Sequence, residues 1–226
     1  MIAIIAAMSC ELEKLLMAAD IHEVRAEGGL TFHIGELEGK AVVMTVCGEG
    51  KVNAALCAQT LILLFAPELI INTGVAGALS STLSVPDVAV GTAVCEHDYD
   101  ISPLGYGKGE VLFVGGSATY FECDKRFADA VLLAAGEMGV HAEAGVIASG
   151  DQFIASEAKK EEIRQDFGAI ACEMEGGAIG HVAFLSGIPF AVLRAISDNA
   201  DDGEKFDPVR AAAISVDITR RALAKM

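Results

Sequence analysis

Two carboxylates stand in a segment that otherwise looks buried. Residues 172–175 read Cys-Glu-Met-Glu, after the stretch FGAIA and before GGAIGHVAF. An unpaired carboxylate in an apolar interior is unfavourable by several kcal/mol, or it takes up a proton. In an extended strand Glu173 and Glu175 would point to the same side, although a bend into a helix near Gly176 would break this alternation. The two acids are therefore predicted to serve a chemical site.

Other polar side chains follow apolar segments elsewhere in the chain. In open α/β sheets, ligands bind at the carboxyl ends of the strands, where such residues meet. Residues far apart in sequence are therefore expected to converge on one rim of a sheet. The residues placed in this way are Glu11, Asp151, Phe153, Glu173, Glu175, Arg194, Ser197 and Asp198.

The elements that must position these residues alternate along the chain. Short apolar runs predict strands covered on both faces, and apolar residues at helical spacing predict amphipathic helices. Strands are predicted at 2–7, 68–74, 85–100, 140–150, 169–175 and 189–197, with two more inside 30–47. Helices are predicted at 9–20 (capped by Ser9), 51–65, 124–139, 156–167, 176–187 and 206–226, and loops at 73–79 and 115–121. This pattern predicts an α/β fold, a three-layer αβα sandwich with a mixed, mostly parallel sheet, as a single domain over 1–226.

Composition excludes several classes of function. The chain of 226 residues carries a formal net charge of −16, which argues against nucleic acid and anionic membranes as partners. No apolar run reaches the roughly 20 residues that a membrane span needs. The six cysteines include no C-x-x-C pair, and several lie in hydrophobic surroundings, so reduced thiols and a cytoplasmic location are expected. The histidines form no metal-binding spacing with the cysteines, and neither a metal nor a cofactor is expected.

Five segments together carry a resemblance to a known family. They are AAMSCELEKL (6–15), GEGKVNAA (48–55), GVIASGDQFI (145–154), CEMEGGAI (172–179) and LRAISDNAD (193–201). In this order the chain resembles the 5′-methylthioadenosine/S-adenosylhomocysteine nucleosidases, which belong to the purine and uridine phosphorylase superfamily. The resemblance implies a nucleoside phosphorylase-like fold, a homodimer, and hydrolysis of an adenine nucleoside in methionine salvage and nucleoside catabolism.

The resemblance also implies two catalytic carboxylates. Cleavage of an N-glycosidic bond leaves an oxocarbenium-like sugar and a purine, and the purine leaves readily only when a ring nitrogen is protonated. Asp198 matches the acid of the family's S-D motif and would protonate N7, with Ser197 orienting it. Glu11 matches the family's N-terminal glutamate and would activate water on the other face of the sugar. Two carboxylates would thus flank the scissile bond, as in inverting glycosidases.

The remaining site residues are carried over as substrate contacts. Glu175 would accept hydrogen bonds from the ribose hydroxyls, and Met174 would pack under the ribose. Phe153 would stack on the purine, whose edge the backbone of Ile154 would read. Glu173 would support the acidic cluster that Arg194 helps to order. The other pocket positions are Met8, Gly77, Ile101 and Phe206.

One position departs from the family pattern. The family usually has an apolar residue, often isoleucine, where this chain has Glu49. That position lines the pocket for the 5′-alkylthio group, so a carboxylate would favour a polar or cationic 5′ arm. Glu49 could also point away or pair with Lys51, and the preferred 5′ substituent stays open.

Simpler interpretations remain open for several of these residues. Glu11 could be an ordinary first-turn helix acid, and Asp198 a turn cap. Arg194 could simply pair with Glu173. Phe153 and Met174 would by default be core residues, and only the motifs suggest otherwise.

Two other function classes also remain open. A nucleoside phosphorylase on the same fold would need arginines to hold phosphate, and the loops 48–55 and 72–78 contain none. A non-catalytic nucleoside-binding module would be indicated by the loss of Glu11 or Asp198, and both are present.

Overall fold

A computed structural model describes residues 1–201 and 208–226 of the chain. The strands are β1 (Ile2–Ala6), β2 (Asp20–Glu27), β3 (Leu30–Leu37), β4 (Lys40–Val46), β5 (Leu69–Ala78), β6 (Val88–Glu96), β7 (Val111–Phe113), β8 (Gly116–Ala118), β9 (Phe121–Glu122), β10 (Ala142–Ser149), β11 (Ala169–Glu173) and β12 (Phe190–Asp198). The helices are α1 (Ser9–Ala18), α2 (Lys51–Phe65), α3 (Lys125–Met138), α4 (Glu157–Phe167), α5 (Gly176–Ser186) and α6 (Pro208–Lys225). The predicted alternation of strands and helices is confirmed.

One large sheet dominates the described residues, with the strand order β11-β10-β6-β12-β5-β1-β4-β3-β2. Strand β1 pairs in parallel with β4 and β5, strand β12 pairs in parallel with β5, and β10 pairs in parallel with β6 and β11. Antiparallel pairs join β12 to β6 and add β3 and β2 at one edge. The mixed, mostly parallel sheet of an αβα sandwich is therefore confirmed.

Both faces of this sheet are covered, which explains the unbroken apolar runs of its strands. All five residues of β1 are buried, and they alternate between the two faces: Ile5 belongs to one core and Ile4 to the other. Helices α2 and α5 cover the first face, and α1, α3 and α6 cover the second. The carboxyl ends of β1, β5 and β12 are thus held between two apolar cores, one on each face of the sheet.

Strand β5 continues where the sequence predicts a loop over 73–79. It runs to Ala78, and every one of its ten residues is buried. Strand β12 pairs with it in parallel from Phe190 to Asp198, and β11 pairs antiparallel with its last residues. Pairing on both sides holds the small residues of this segment extended, although glycines usually favour turns.

Two smaller expectations are also corrected. The N-cap of α1 is Met8 rather than Ser9, because the side chain of Glu11 reaches back to the Met8 amide and so closes the start of the helix. The predicted loop at 115–121 contains β8, which pairs antiparallel with β7, and the start of β9, which pairs antiparallel with β6. Among the described residues, the helices lack the length and apolar character needed to cross a membrane.

Candidate active site

A cavity of about 250 Å³ lies at the carboxyl ends of these strands. Twelve of the fourteen site residues predicted from the sequence line it. They are Met8, Glu11, Glu49, Gly77, Phe153, Ile154, Glu173, Met174, Glu175, Arg194, Ser197 and Asp198. The lining residues that sequence reasoning missed are Ala7, Val75, Ala76, Gln152 and Cys172. Ala7, Gln152 and Cys172 are next in sequence to predicted site residues, which was the available signal, whereas Val75 and Ala76 lie in the part of β5 that the sequence did not predict as strand.

Glu11 is fixed by backbone amides at the start of α1. Its Oε2 accepts hydrogen bonds from the amides of Ala7 at 3.0 Å and Met8 at 2.8 Å, and its Oε1 accepts one from Val75 at 3.0 Å. Burial nevertheless raises the pKa of Glu11, although Arg194 and the three amides act in the opposite direction. The carboxylate is therefore oriented by the chain and has a stronger affinity for protons than an exposed glutamate.

Asp198 ends β12 and enters the cavity at the same rim. Its Oδ2 accepts a hydrogen bond from the Ser197 hydroxyl at 2.9 Å, and its Oδ1 accepts one from the Ala200 amide at 2.9 Å. Ala200, which donates this bond, itself has a left-handed φ of 54°. The predicted orienting role of Ser197 agrees with this geometry.

Two glycines of β5 provide the space that these acids need. A side chain at Gly74 would collide with Arg194 and with Oε1 of Glu11. A side chain at Gly77 would come within 2.9 Å of Oδ1 of Asp198. The glycines therefore let β5 pass close to both acids.

Arg194 is the buried cation of the site. Its Nη2 donates to Asn72, to Oε2 of Glu173 and, at 3.3 Å, to Oε2 of Glu175. The side chain is 1% exposed, so this guanidinium is held by the chain's own acceptors. The pairing with Glu173 and the ordering of the acidic cluster, which the sequence left as alternatives, are both present.

Glu173 is fully engaged by its surroundings. Besides Arg194, its carboxylate accepts hydrogen bonds from the Ser149 hydroxyl and from the amides of Glu175 and Gly176. The two amides lie at the start of α5, where a negative charge is favourable. Glu173 is thus a supporting residue that fixes the turn into α5.

Glu175 occupies the N-cap of α5, and its backbone has left the strand conformation. Its Oε1 accepts a hydrogen bond from the Gly50 amide at 3.0 Å. Burial raises the pKa of Glu175 to about 7, although Arg194 opposes this shift. The alternation expected for a regular strand therefore fails here, and the carboxylate faces the cavity from a helix start.

The apolar lining residues differ in exposure. Phe153 is 59% exposed at the mouth of the cavity, whereas Ile154 is 6% exposed. Met8 and Met174 are half-buried between these extremes. A flat ring at the mouth and sulfur-containing side chains deeper inside suit a planar ligand with an apolar edge.

Glu49 lines the cavity, is exposed, and among the described residues its carboxylate has no hydrogen-bond or ion-pair partner. The possible pairing with Lys51 is wrong, because Lys51 is bound to Glu96 at 3.0 Å and Asp98 at 2.6 Å. The carboxylate of Glu49 is therefore available to a ligand.

Two predicted site residues are not part of this cavity. Ile101 does not line it, because the loop after β6 folds back on itself, with the Gly109 amide donating to the Tyr99 carbonyl at 2.7 Å. Phe206 lies outside the described residues. Within the described part of the chain, no cluster of three or more histidine, cysteine or acidic side chains could hold a metal ion.

A family model places this site among known proteins. The model described as "Phosphorylase superfamily" matches residues 1–225. The chain belongs to the phosphorylase superfamily. Its relatives there include an aminodeoxyfutalosine nucleosidase of Campylobacter jejuni, 35% identical over 91% of this chain and 89% of that protein. They also include a 5′-methylthioadenosine/S-adenosylhomocysteine nucleosidase of Halalkalibacterium halodurans, 38% identical over 88% of this chain and 85% of that protein.

Solved structures of the phosphorylase superfamily have the same fold. The 5′-methylthioadenosine/S-adenosylhomocysteine nucleosidase of Neisseria meningitidis, in complex with methylthio-immucillin-A, superposes with a TM-score of 0.93 at 35% identity and covers 100% of this chain and 99% of that chain. The futalosine hydrolase of Helicobacter pylori superposes with a TM-score of 0.91 at 32% identity over 100% of this chain and 97% of that chain. The similarity therefore extends over the whole chain.

Proposed function

We propose that this protein hydrolyses the N-glycosidic bond of a 5′-substituted adenine nucleoside, such as 5′-methylthioadenosine or S-adenosylhomocysteine, and releases adenine. The names of its relatives and solved neighbours, which are nucleosidases and a hydrolase, support this reaction class. Asp198 protonates the purine, and Glu11 removes a proton from the attacking water.

The observation that carries the proposal is the pair of buried carboxylates in one cavity. Glu11 lies beside Gly74 and Asp198 beside Gly77 on the same strand. Both carboxylates also line the same cavity, together with the residues proposed to bind the nucleoside. Inversion by direct attack of water uses such a pair, one acid protonating the leaving group and the other activating the water.

The charge of the cavity suits the transition state of this reaction. Among the described lining residues, five are acidic, namely Glu11, Glu49, Glu173, Glu175 and Asp198, and Arg194 is the one basic residue. A sugar that becomes positively charged during bond cleavage is stabilised by such a surplus of carboxylates. Glu175, next to the position proposed for the ribose, contributes most directly by accepting hydrogen bonds from its hydroxyls.

A phosphate-dependent transferase is the main alternative, since the superfamily bears the name of phosphorylases. Phosphate needs a basic side chain with free donors. The Nη2 of Arg194 is already bonded to Asn72, Glu173 and Glu175, and its Nε, which has no partner among the described residues, is buried. Two further acids, Glu11 and Glu49, would repel the anion, and these contacts favour water as the nucleophile.

We expect the protein to release adenine from 5′-methylthioadenosine or S-adenosylhomocysteine in phosphate-free buffer. The sugar product is the free thioribose compound, because water supplies the new oxygen. Adenine release is measured by chromatography with and without added phosphate, and the sugar is identified by mass spectrometry. Turnover that requires phosphate and yields a sugar 1-phosphate would contradict the hydrolase assignment, and binding without turnover would indicate a non-catalytic module.

The 5′ substituent is set in part by Glu49. Its unpaired carboxylate at the cavity would lose water contacts against a methylthio group, at a cost of about 1–3 kcal/mol, which corresponds to roughly 5- to 150-fold in kcat/KM. The ammonium of the S-adenosylhomocysteine arm can pair with this carboxylate instead. We therefore propose a preference for polar 5′ arms over methylthio.

The variant Glu49→Ile is expected to raise kcat/KM for 5′-methylthioadenosine and to lower it for S-adenosylhomocysteine. The ratio of the two kcat/KM values in wild type and variant measures the shift. Glu49→Gln, which keeps the size and removes the charge, is the matched comparison and should lie between them. If Glu49→Ile leaves the ratio unchanged, the side chain does not contact the 5′ arm and dual specificity is the better description.

We propose that the protein is a homodimer in a reducing, cytoplasmic environment. Large apolar side chains lie exposed on α2, where Val52 is 77% and Leu63 is 75% exposed, and on α5, where Phe184 is 52% exposed. Ile101, which does not reach the cavity of its own chain, could then contact the cavity of the partner. The six free cysteines support a reducing compartment. Sedimentation velocity of the full chain tests the assembly.

A further inference from the structure

Three segments around the cavity are joined by a closed ring of hydrogen bonds outside it. Lys51 Nζ donates to Oδ1 of Asp98 at 2.6 Å. The Asp151 amide donates to Oδ2 of the same carboxylate at 2.8 Å. The Lys51 amide donates to Oδ1 of Asp151 at 2.7 Å, which closes the ring. The ring thus ties the start of α2, the segment after β6 and the loop after β10 to one another.

The ring is charged, and its ion pair between Lys51 and Asp98 is partly shielded from water, whereas Asp151 is exposed. The side chain of Lys51 is 17% exposed and that of Asp98 is 16% exposed. Burial alone would raise the pKa of Asp98, but the hydrogen bonds from Lys51 and the Asp151 amide lower it overall. Glu96 gives Lys51 a second acceptor at 3.0 Å and is itself bonded to Nδ1 of His181 on α5. A paired, partly buried cation of this kind holds its neighbours in one geometry.

Two residues of the ring, Asp151 and Lys51, lie close in sequence to residues that line or orient the cavity. Asp151 is followed two residues later by Phe153, at the proposed purine position. Lys51 is preceded by Gly50, whose amide donates to Oε1 of Glu175. Gly50 has a φ of 93°, and a Cβ there would lie 3.0 Å from Oδ1 of Asp151, so the close approach requires glycine. The residue proposed to contact the purine and the residue proposed to contact the ribose are therefore both held by the same ring of hydrogen bonds.

We propose that Lys51 and Asp98 are positioning residues for the nucleoside: they fix the loop that carries Phe153 against the turn that orients Glu175. Neither residue lines the cavity, so both act through others. Side chains that bind a ligand must be held in the productive geometry by a second layer of contacts. This inference rests on the proposed function, since it assigns the support of the nucleoside that the enzyme cleaves.

The variant Lys51→Met is expected to lower kcat/KM for adenine release at least tenfold, chiefly through a higher KM. Lys51→Arg should recover most of this loss, because a guanidinium can donate to both Glu96 and Asp98. Lys225→Met removes an ion pair of similar length, 2.8 Å to Glu137, between α6 and α3, and should leave both constants unchanged. If Lys51→Met does not fold, Asp98→Asn replaces it, because asparagine keeps an acceptor for the Asp151 amide while losing the charge.

A double-mutant cycle separates positioning from general stability. If the ring acts through the purine loop, Lys51→Met or Asp98→Asn should lose most of its effect on kcat/KM in a Phe153→Ala background. Equal effects in both backgrounds, or unchanged kinetics in a folded Lys51→Met protein, would overturn the proposal. Wild-type turnover is measured first: its absence would reject the proposed function, whereas turnover with unaffected variants would reject the positioning role alone.

Discussion

Asp198→Asn is expected to reduce kcat by at least about 10²–10⁴-fold, the usual contribution of general acid catalysis. Asparagine has nearly the same shape and can still accept the hydrogen bond from the Ala200 amide at Oδ1. It cannot donate a carboxyl proton to the purine, so the leaving group departs as a poor, unprotonated base. Binding of a cationic transition-state mimic should survive in part, because the carboxylates of Glu11 and Glu175 are untouched. Steady-state and single-turnover rates of adenine release measure the effect.

A matched control exists elsewhere in the chain. Asp124 is the N-cap of α3 and accepts a hydrogen bond from the Phe127 amide at 2.9 Å. Asp124→Asn makes the same chemical change at a capping position outside the cavity and should leave kcat intact. Near-normal kcat in a folded Asp198→Asn protein would show that Asp198 is only a turn cap.

Glu11→Gln is expected to lower kcat by a similar factor of about 10²–10⁴, because an amide cannot take a proton from water. The wild-type enzyme should lose activity on acidification at a higher pH than an ordinary glutamate would give, since burial raises the pKa of Glu11. The pH profile of kcat/KM measures this limb. The side-chain NH₂ of glutamine must also face backbone amides that now donate to Oε1 and Oε2, so the variant's folding is checked by circular dichroism.

Glu157 provides the comparison for Glu11. It is also a first-turn acid, at the start of α4, but it is exposed and does not line the cavity. Glu157→Gln should leave turnover unchanged. If Glu11→Gln behaves like Glu157→Gln, Glu11 is an ordinary helix-start acid and another group must activate water.

Much of the fold could be predicted because apolar periodicity reports burial directly. The predicted helix at 51–65 matches α2, and the predicted strand at 189–197 differs from β12 by one residue at each end. Strand β2 was not predicted, because at the edge of the sheet most of its residues are exposed and polar. The extension of β5 through Gly74 and Gly77 was missed because its stability comes from pairing with β11 and β12, which are distant in sequence.

The site could be predicted where a short motif contains the whole interaction. Ser197 and Asp198 are adjacent, and Glu173 and Arg194 were recognised as possible partners. The ring of Lys51, Asp98 and Asp151 was not predicted, because its members come from three segments and two of its contacts use backbone amides. Local patterns do not record such long-range geometry.

The surplus of acids in the cavity favours catalysis but lowers the free energy of unfolding. The pKa of Glu175 is about 7 in the folded protein and 4.5 in an ordinary glutamate, so the folded state binds its proton more tightly than the unfolded chain does. Its contribution to the free energy of unfolding therefore declines as pH rises from about 4.5 to about 7. The ligand-free protein is therefore less stable when Glu175 is ionised, although the ionised carboxylate is the form that best stabilises a cationic sugar. A positively charged ligand restores this stability by pairing with the carboxylates of the cavity. Without the ligand, the rest of the fold must supply it.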